Sequence, residues 1–127
     1  YKITCLSMGN PHCVIFVPQI NAVDLEHIGP MLEYNPIFPE RANIEFVTVV
    51  SRTHIKMRVW ERGSGETWAC GTGACAAAVA SVLHGYCPKG ADISVDVKGG
   101  RLDVKYTDET VYLTGDCVKV FEGVVEI

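Results

Sequence analysis

The sequence predicts an α+β fold: about eight mostly antiparallel strands wrapped as a barrel around one buried apolar helix, with a second helix on the surface. Three observations predict it. Short β-prone runs recur between turn residues along most of the chain. One stretch, about Thr72 to His84, is apolar on every side, and such a helix is buried all round. The length of 127 residues suits one domain that can bury a core without disulfide help.

The elements follow in order. "YKITCLSM" and "HCVIFVP" read as strands separated by the turn-like "GNP". The segment "VDLEHIGPMLEY" places Leu25, Ile28, Met31 and Leu32 on one face, an amphipathic surface helix whose regularity Pro30 limits. Strands "NIEFVTVV" (Asn43–Val50) and "HIKMRVW" (His54–Trp60) come next, the second alternating Ile55, Met57 and Val59 on one side. After a glycine-rich loop comes the buried helix, stopped by Gly85 as a C-cap. At 1.5 Å per residue it spans roughly 20 Å, and its small side chains suit a tight enclosure. Four runs close the chain: "DISVDVK", "RLDVKY", "ETVYL" and "CVKVFEGVVEI". Gly99–Gly100 predicts a tight hairpin between the first two, and Thr107–Asp108 a turn between the next.

Composition narrows the function. A net charge of -4 without a basic stripe argues against nucleic acid or an anionic membrane as partner. The start "YKITCLSMGN" lacks the basic and apolar regions of a signal peptide. The run Ala74–Leu83 is far shorter than the ~20 residues that cross a bilayer. Six cysteines, Cys5, Cys13, Cys70, Cys75, Cys87 and Cys117, have no CxxC pair, and Cys70–Cys75 is a poor zinc spacing. They read as reduced thiols in a cytoplasmic protein, with no metal site. The chain opens on Tyr1 rather than Met, which reads as a piece of something longer.

The chemistry concentrates in "ERGSGETWACGTGACAAAVA". Cys70 stands at the entrance of the buried helix, where backbone N–H groups lack helical partners and the macrodipole leaves about half a positive charge. A thiol so placed has its pKa lowered from ~8.5 into the range of roughly 3.5–7.5. The same amides, opened to close approach by Gly71 and Gly73, form a site for a substrate carboxylate. A carboxylate held by Gly71 and Thr72 would set its α-carbon beside the Cys70 sulfur, with developing charge stabilised by those amides. Arg62 can clamp a carboxylate bidentately, and Glu61 can orient or tune a proton-transfer group. On residue types alone, an inert packing cysteine behind a mere helix entry stays open.

With "GNPHCVIFV" and "FPERANIEFV" added, these residues resemble the C-terminal half of the diaminopimelate epimerase family, over the whole chain. The resemblance implies one lobe of the diaminopimelate epimerase-like fold and a cofactor-independent isomerase of lysine and peptidoglycan precursor synthesis. It implies interconversion of LL- and meso-diaminopimelate by two opposed cysteines, without pyridoxal phosphate. Carried over by motif, Cys70 is one of the two, and Glu61 and His12 are catalytic support groups. Gly71 and Thr72 hold the α-carboxylate, while Asn10, Asn43 and Arg62 bind the distal end of the diamino-dicarboxylate. For His27, His54 and His84 the bland surface or structural reading stands.

The family's other cysteine lies in an N-terminal lobe, in a GNG-type helix entrance that has no counterpart here. Cys75, five residues along the same helix, cannot face Cys70 across a substrate. The resemblance therefore implies a missing N-terminal lobe and an isolated chain that is inactive. A homodimer through the C-terminal strand near Phe121 is a further expectation. Two other readings stand beside this one: a proline racemase-like member of the same superfamily, and a non-catalytic anion-binding or dimerisation module.

Overall fold

The computed structural model describes all 127 residues. In chain order it has β1 (Thr4–Ser7), β2 (Pro11–Phe16), a 3-10 turn (Ile20–Ala22), α1 (Leu25–Glu33), β3 (Asn43–Ser51) and β4 (His54–Glu61). There follow β5 (Gly65–Glu66), α2 (Gly71–Leu83), β6 (Asp92–Val97), β7 (Gly100–Tyr106) and β8 (Val111–Thr114). One sheet runs in the order β1-β2-β3-β4-β6-β7-β8, with β5 paired to β4 outside that path. Only β2–β3 and β4–β6 are parallel, and each of those junctions needs a crossover. The first runs through the 3-10 turn and α1, the second through β5 and α2.

The sheet curls around α2, which packs against every strand except β5. Residues Gly73 to Ser81 of that helix are all buried, as its unbroken run of small apolar side chains requires. Ser81 is satisfied by donating to the Ala77 carbonyl at 2.8 Å. His84 caps the helix, and Gly85 follows at φ 75°, the left-handed position glycine takes without strain. The strand period of two divides the core into two layers. Val14, Val47, Ile55, Met57 and Val59 face α2 with Ile93, Val95 and Val104. Cys13, Ile15, Ile44 and Phe46 face the opposite way, onto Ile20 and Leu25. Strands β2 and β3 are thus covered on both sides, which explains their near-continuous apolar runs.

Four expectations need correction. The run after β8, "CVKVFEGVVEI", forms no strand: Val118, Phe121 and Val124 are exposed and no neighbour bonds their backbone, and β-propensity is realised only against a partner. Phe121 therefore marks no strand edge. The eighth strand is instead the two-residue β5. The barrel is open, because β1 and β8 end the sheet without pairing to each other. On α1, Leu25, Ile28 and Leu32 pack inward as expected, but Met31 is exposed and Gly29 and Glu33 are buried instead. Gly29 is buried because the Trp60 indole occupies the space a side chain would fill. The predicted hairpin forms, with Lys98–Gly99 as the loop and Val97 paired to Gly100. No helix is long and apolar enough to cross a membrane.

Glu33 explains why α1 tolerates a buried carboxylate. One of its oxygens accepts from the Trp60 indole N–H at 2.8 Å. The other accepts from Arg41 at 3.0 Å and from the Gly63 amide at 2.9 Å, satisfying the charge. A methyl group on Gly29 would come within 2.5 Å of Trp60 Cδ2. Gly29→Ala is therefore expected to destabilise the chain by about 1–3 kcal/mol. Urea denaturation checks it: an unchanged midpoint would mean that the indole is free to move.

Candidate active site

The three central strands deliver polar residues to one end of the sheet. His12 lies near the start of β2 and pairs in register with Asn43, which opens the parallel β3. Glu61 ends the antiparallel β4, so it arrives at the same end. Alternation sends His12 to the face of Val14, Asn43 and Glu45 to the face of Val47, and Glu61 to the face of Val59. That is the α2 face. Cys70, the N-cap of α2, meets them there.

A chain of hydrogen bonds joins them. His12 Nδ1 lies 2.6 Å from Glu45 Oε1, and His12 Nε2 lies 3.0 Å from Asn10 Oδ1. Asn10 Nδ2 donates to Thr72 Oγ1 at 3.3 Å, and Thr72 Oγ1 lies 3.7 Å from Cys70 Sγ. The sulfur also accepts from the Gly73 amide at 3.3 Å, an N-cap interaction made by a thiol. Neither the Gly71 nor the Thr72 amide is used by any acceptor of the protein, so both point out of the helix entrance as free donors. Gly73 has to be glycine: a methyl there would lie 2.9 Å from Glu45 Oε1 and 3.1 Å from Cys70 Sγ.

A second group surrounds Asn43. Its Oδ1 accepts from the Arg62 amide at 2.8 Å, and its Nδ2 donates to the Pro11 carbonyl at 3.2 Å. The Arg62 side chain is exposed and donates to the Glu40 carbonyl at 3.0 Å. Glu61 Oε2 accepts from the Thr67 hydroxyl. The structure thus links Cys70, Thr72, Asn10 and His12 directly. It sets Asn43 with Arg62 beside them, and puts Asn10 on the Thr72 side rather than in contact with Arg62.

Electrostatics depart from expectation at Cys70. Its thiol is pushed above the ordinary value, chiefly by burial, with Glu61 and Glu45 adding to the rise. Hydrogen bonds from Thr72 and Gly73 lower it but do not win. The helix entrance does what the sequence predicts, and desolvation outweighs it. Cys70 is 8 % exposed and belongs to the apolar cluster packed around α2, while its sulfur caps the helix entrance by accepting from the Gly73 amide. All six cysteines are free thiols.

Glu45 is the functional candidate that sequence reading missed. It is fully buried, and its Oε2 has no hydrogen-bond partner. Burial pushes its carboxyl up to about 7, against the lowering effect of His12. The available signal was a charge inside the apolar run "NIEFV", at strand spacing from Asn43. His54 instead pairs with Asp96 at 2.7 Å and His84 with Thr4 at 2.7 Å, both structural contacts. His27 is exposed on α1. No group of three His, Cys, Asp or Glu side chains is arranged to hold a metal ion.

Folded Glu45 keeps its proton up to about pH 7, whereas an ordinary glutamate releases it near 4.5. Between those values the folded state binds more protons, so this group makes stability fall as pH rises. Glu45→Gln should therefore gain stability relative to the parent between about pH 5 and about pH 7.5, read as urea midpoints. A constant difference between the two proteins across that window would contradict the assignment. Thr72→Val removes one donor to the sulfur and should push the Cys70 thiol further up. Peptide-resolved alkylation measures this, with exposed Cys117 as the unmoved reference.

Known proteins share this sequence and this fold. The family model described as diaminopimelate epimerase matches residues 4–120. The diaminopimelate epimerase of Desulfovibrio desulfuricans is 55% identical over 97% of this chain and 43% of its own length. That of Acetivibrio thermocellus is 54% identical over the whole chain and 45% of its own length. A phenazine biosynthesis protein of the PhzF family from Enterococcus faecalis shares the fold, with a TM-score of 0.64 at 16% identity over 87% of this chain and 41% of that one. The chain spans less than half the length of the curated relatives it matches, and it belongs to the diaminopimelate epimerase family.

Proposed function

We propose that this chain is the C-terminal lobe of an enzyme that interconverts LL- and meso-2,6-diaminopimelate by proton transfer at the α-carbon, without a cofactor, in lysine and peptidoglycan precursor synthesis in the cytoplasm. The observation that supports it best is a thiol at the mouth of α2 beside two amides with no acceptor in the protein. The Gly71 and Thr72 amides take the α-carboxylate. Cys70, as thiolate, removes the α-proton from one face. The electron pair left on carbon spreads into the carboxylate, where the same amides stabilise it. A second cysteine thiol, from a lobe beyond this chain, returns a proton to the opposite face. In the reverse direction Cys70 is the thiol that donates.

The raised Cys70 thiol fits this scheme once substrate is counted. The α-ammonium of a bound amino acid brings a positive charge next to the sulfur and opposes the influence of Glu61 and Glu45. His12 and Glu61 support the proton-transfer group, and Asn10, Asn43 and Arg62 hold the distal end. Arg62 is exposed, so its guanidinium is free to exchange the Glu40 carbonyl for a carboxylate.

The burial of Cys70 favours one rival, a non-catalytic anion-binding module. The two separate in the full-length protein. Cys70→Ala should abolish solvent exchange of the diaminopimelate α-proton, while Cys75→Ala keeps most of it and costs about 1 kcal/mol of stability through a small cavity. Equal effects of the two substitutions would refute the assignment, and an active Cys70→Ala protein would support the binding module. The isolated 127-residue chain should show no turnover; sustained turnover by it would refute the two-lobed site.

A further inference from the structure

The Glu45–His12 pair has an oddity that the proton-transfer scheme leaves unused. His12 Nε2 faces Asn10 Oδ1, an oxygen that can only accept, so that nitrogen must bear a hydrogen. Nδ1 faces Glu45 Oε1 at 2.6 Å. Either the ring is an imidazolium beside a carboxylate, or it is neutral and Glu45 donates to Nδ1. In both cases the pair holds one proton more than neutral imidazole plus carboxylate. The orphaned, buried Glu45 Oε2 points the same way, because a full carboxylate charge left unpaired there is expensive.

The direction of the remaining bonds depends on that proton. With Nε2–H donating to Asn10 Oδ1, the Asn10 amide must turn its Nδ2 to Thr72 Oγ1. Thr72 then accepts from Asn10, and its own hydroxyl hydrogen is left for Cys70 Sγ. Remove the proton, and the pair becomes carboxylate plus neutral imidazole with its hydrogen on Nδ1. Nε2 then presents a lone pair, the Asn10 amide reverses to donate to it, and Thr72 gives its hydrogen to Asn10 Oδ1 instead of to sulfur.

We propose that Glu45 is a positioning residue for Cys70: by holding one proton jointly with His12, it fixes the Asn10 amide and delivers the Thr72 hydroxyl hydrogen to the sulfur. The thiolate is then best stabilised while the buried pair is protonated, and loses a donor when the pair deprotonates. The raised carboxyl of Glu45 sets this switch near neutrality. The titratable groups facing Glu45 are His12 from β2, Glu61 from β4 and Cys70 from the α2 entrance, and Cys13, on the other face of β2, feels its charge through the sheet. Only His12 bonds to it.

The inference rests on Cys70 as the reacting thiol, and its test needs no substrate. In the 127-residue chain, iodoacetamide alkylation of Cys70 is followed against pH by peptide mapping, with ¹⁵N shifts of the His12 ring read in parallel. The parent should show a second inflection near pH 7, above which the rate falls about tenfold short of a single-ionisation curve. Over the same range the hydrogen on the His12 ring should pass from Nε2 to Nδ1, the tautomer change that loss of the shared proton requires. Glu45→Gln should give one ionisation only. Thr72→Val, at an exposed position, should remove the inflection while the His12 tautomer change persists. A parent profile with one ionisation, an inflection surviving in Glu45→Gln or Thr72→Val, or an Nε2 protonated throughout would overturn the proposal. An inactive enzyme with these signatures intact would refute the epimerase reading alone.

Discussion

The arrangement depends on how closely backbone can approach backbone around α2. The helix presents mostly alanine and glycine to the sheet, so strands on every side lie near its axis. Larger side chains would push them outward and open the curl. The close approach has a direction as well as a distance. The helix enters at the end of the sheet where β2 and β3 begin and β4 finishes, and polar residues at those strand ends meet its unpaired amides. Packing in the middle of the domain thus determines chemistry at its rim. Gly73 is where the two requirements meet, since carboxylate and sulfur both occupy the space of its missing side chain.

Two opposing effects act on the sulfur. The helix terminus and its donors favour a thiolate, while burial and two nearby carboxylates oppose it. The second set prevails, and the sulfur is held as a thiol. A thiol kept protonated until a cation arrives resists oxidation and adventitious alkylation. In the proposed reaction the ammonium of a bound amino acid would be both recognition element and trigger. Glu45 gives the balance a second adjustable term, because its charge state changes the field at the sulfur as well as the hydrogen-bond direction.

Much of this was legible from residues alone. The apolar run of α2, its glycine stop and the alternation in β4 identified a buried helix within a sheet, because those signals are local. Cys70 and its glycines were legible for the same reason. What escaped needed tertiary knowledge. The C-terminal run has strand composition yet no partner, and pairing is not written in one segment. Leu25, Ile28 and Leu32 of the helical stripe pack as expected, but the stripe does not show that Met31 stays exposed while Gly29 lies buried under the Trp60 indole. Glu45 is a lone charge in an apolar strand run, and only the packing of α2 over β3 reveals it as enclosed. The sign of the Cys70 shift was missed because the helix terminus is visible in sequence whereas the depth of burial is not.

Glu33 has a consequence of its own. One carboxylate fastens Trp60, Arg41 and the Gly63 amide, and so pins together the loop before Asn43 and the loop after Arg62. Those loops frame one side of the site, and neither can swing without dragging the other and α1 along. That side of the site therefore behaves as a single rigid jaw. Adaptation to a ligand of different length has to come from the exposed guanidinium at its tip, which alone is hinged by a flexible stem.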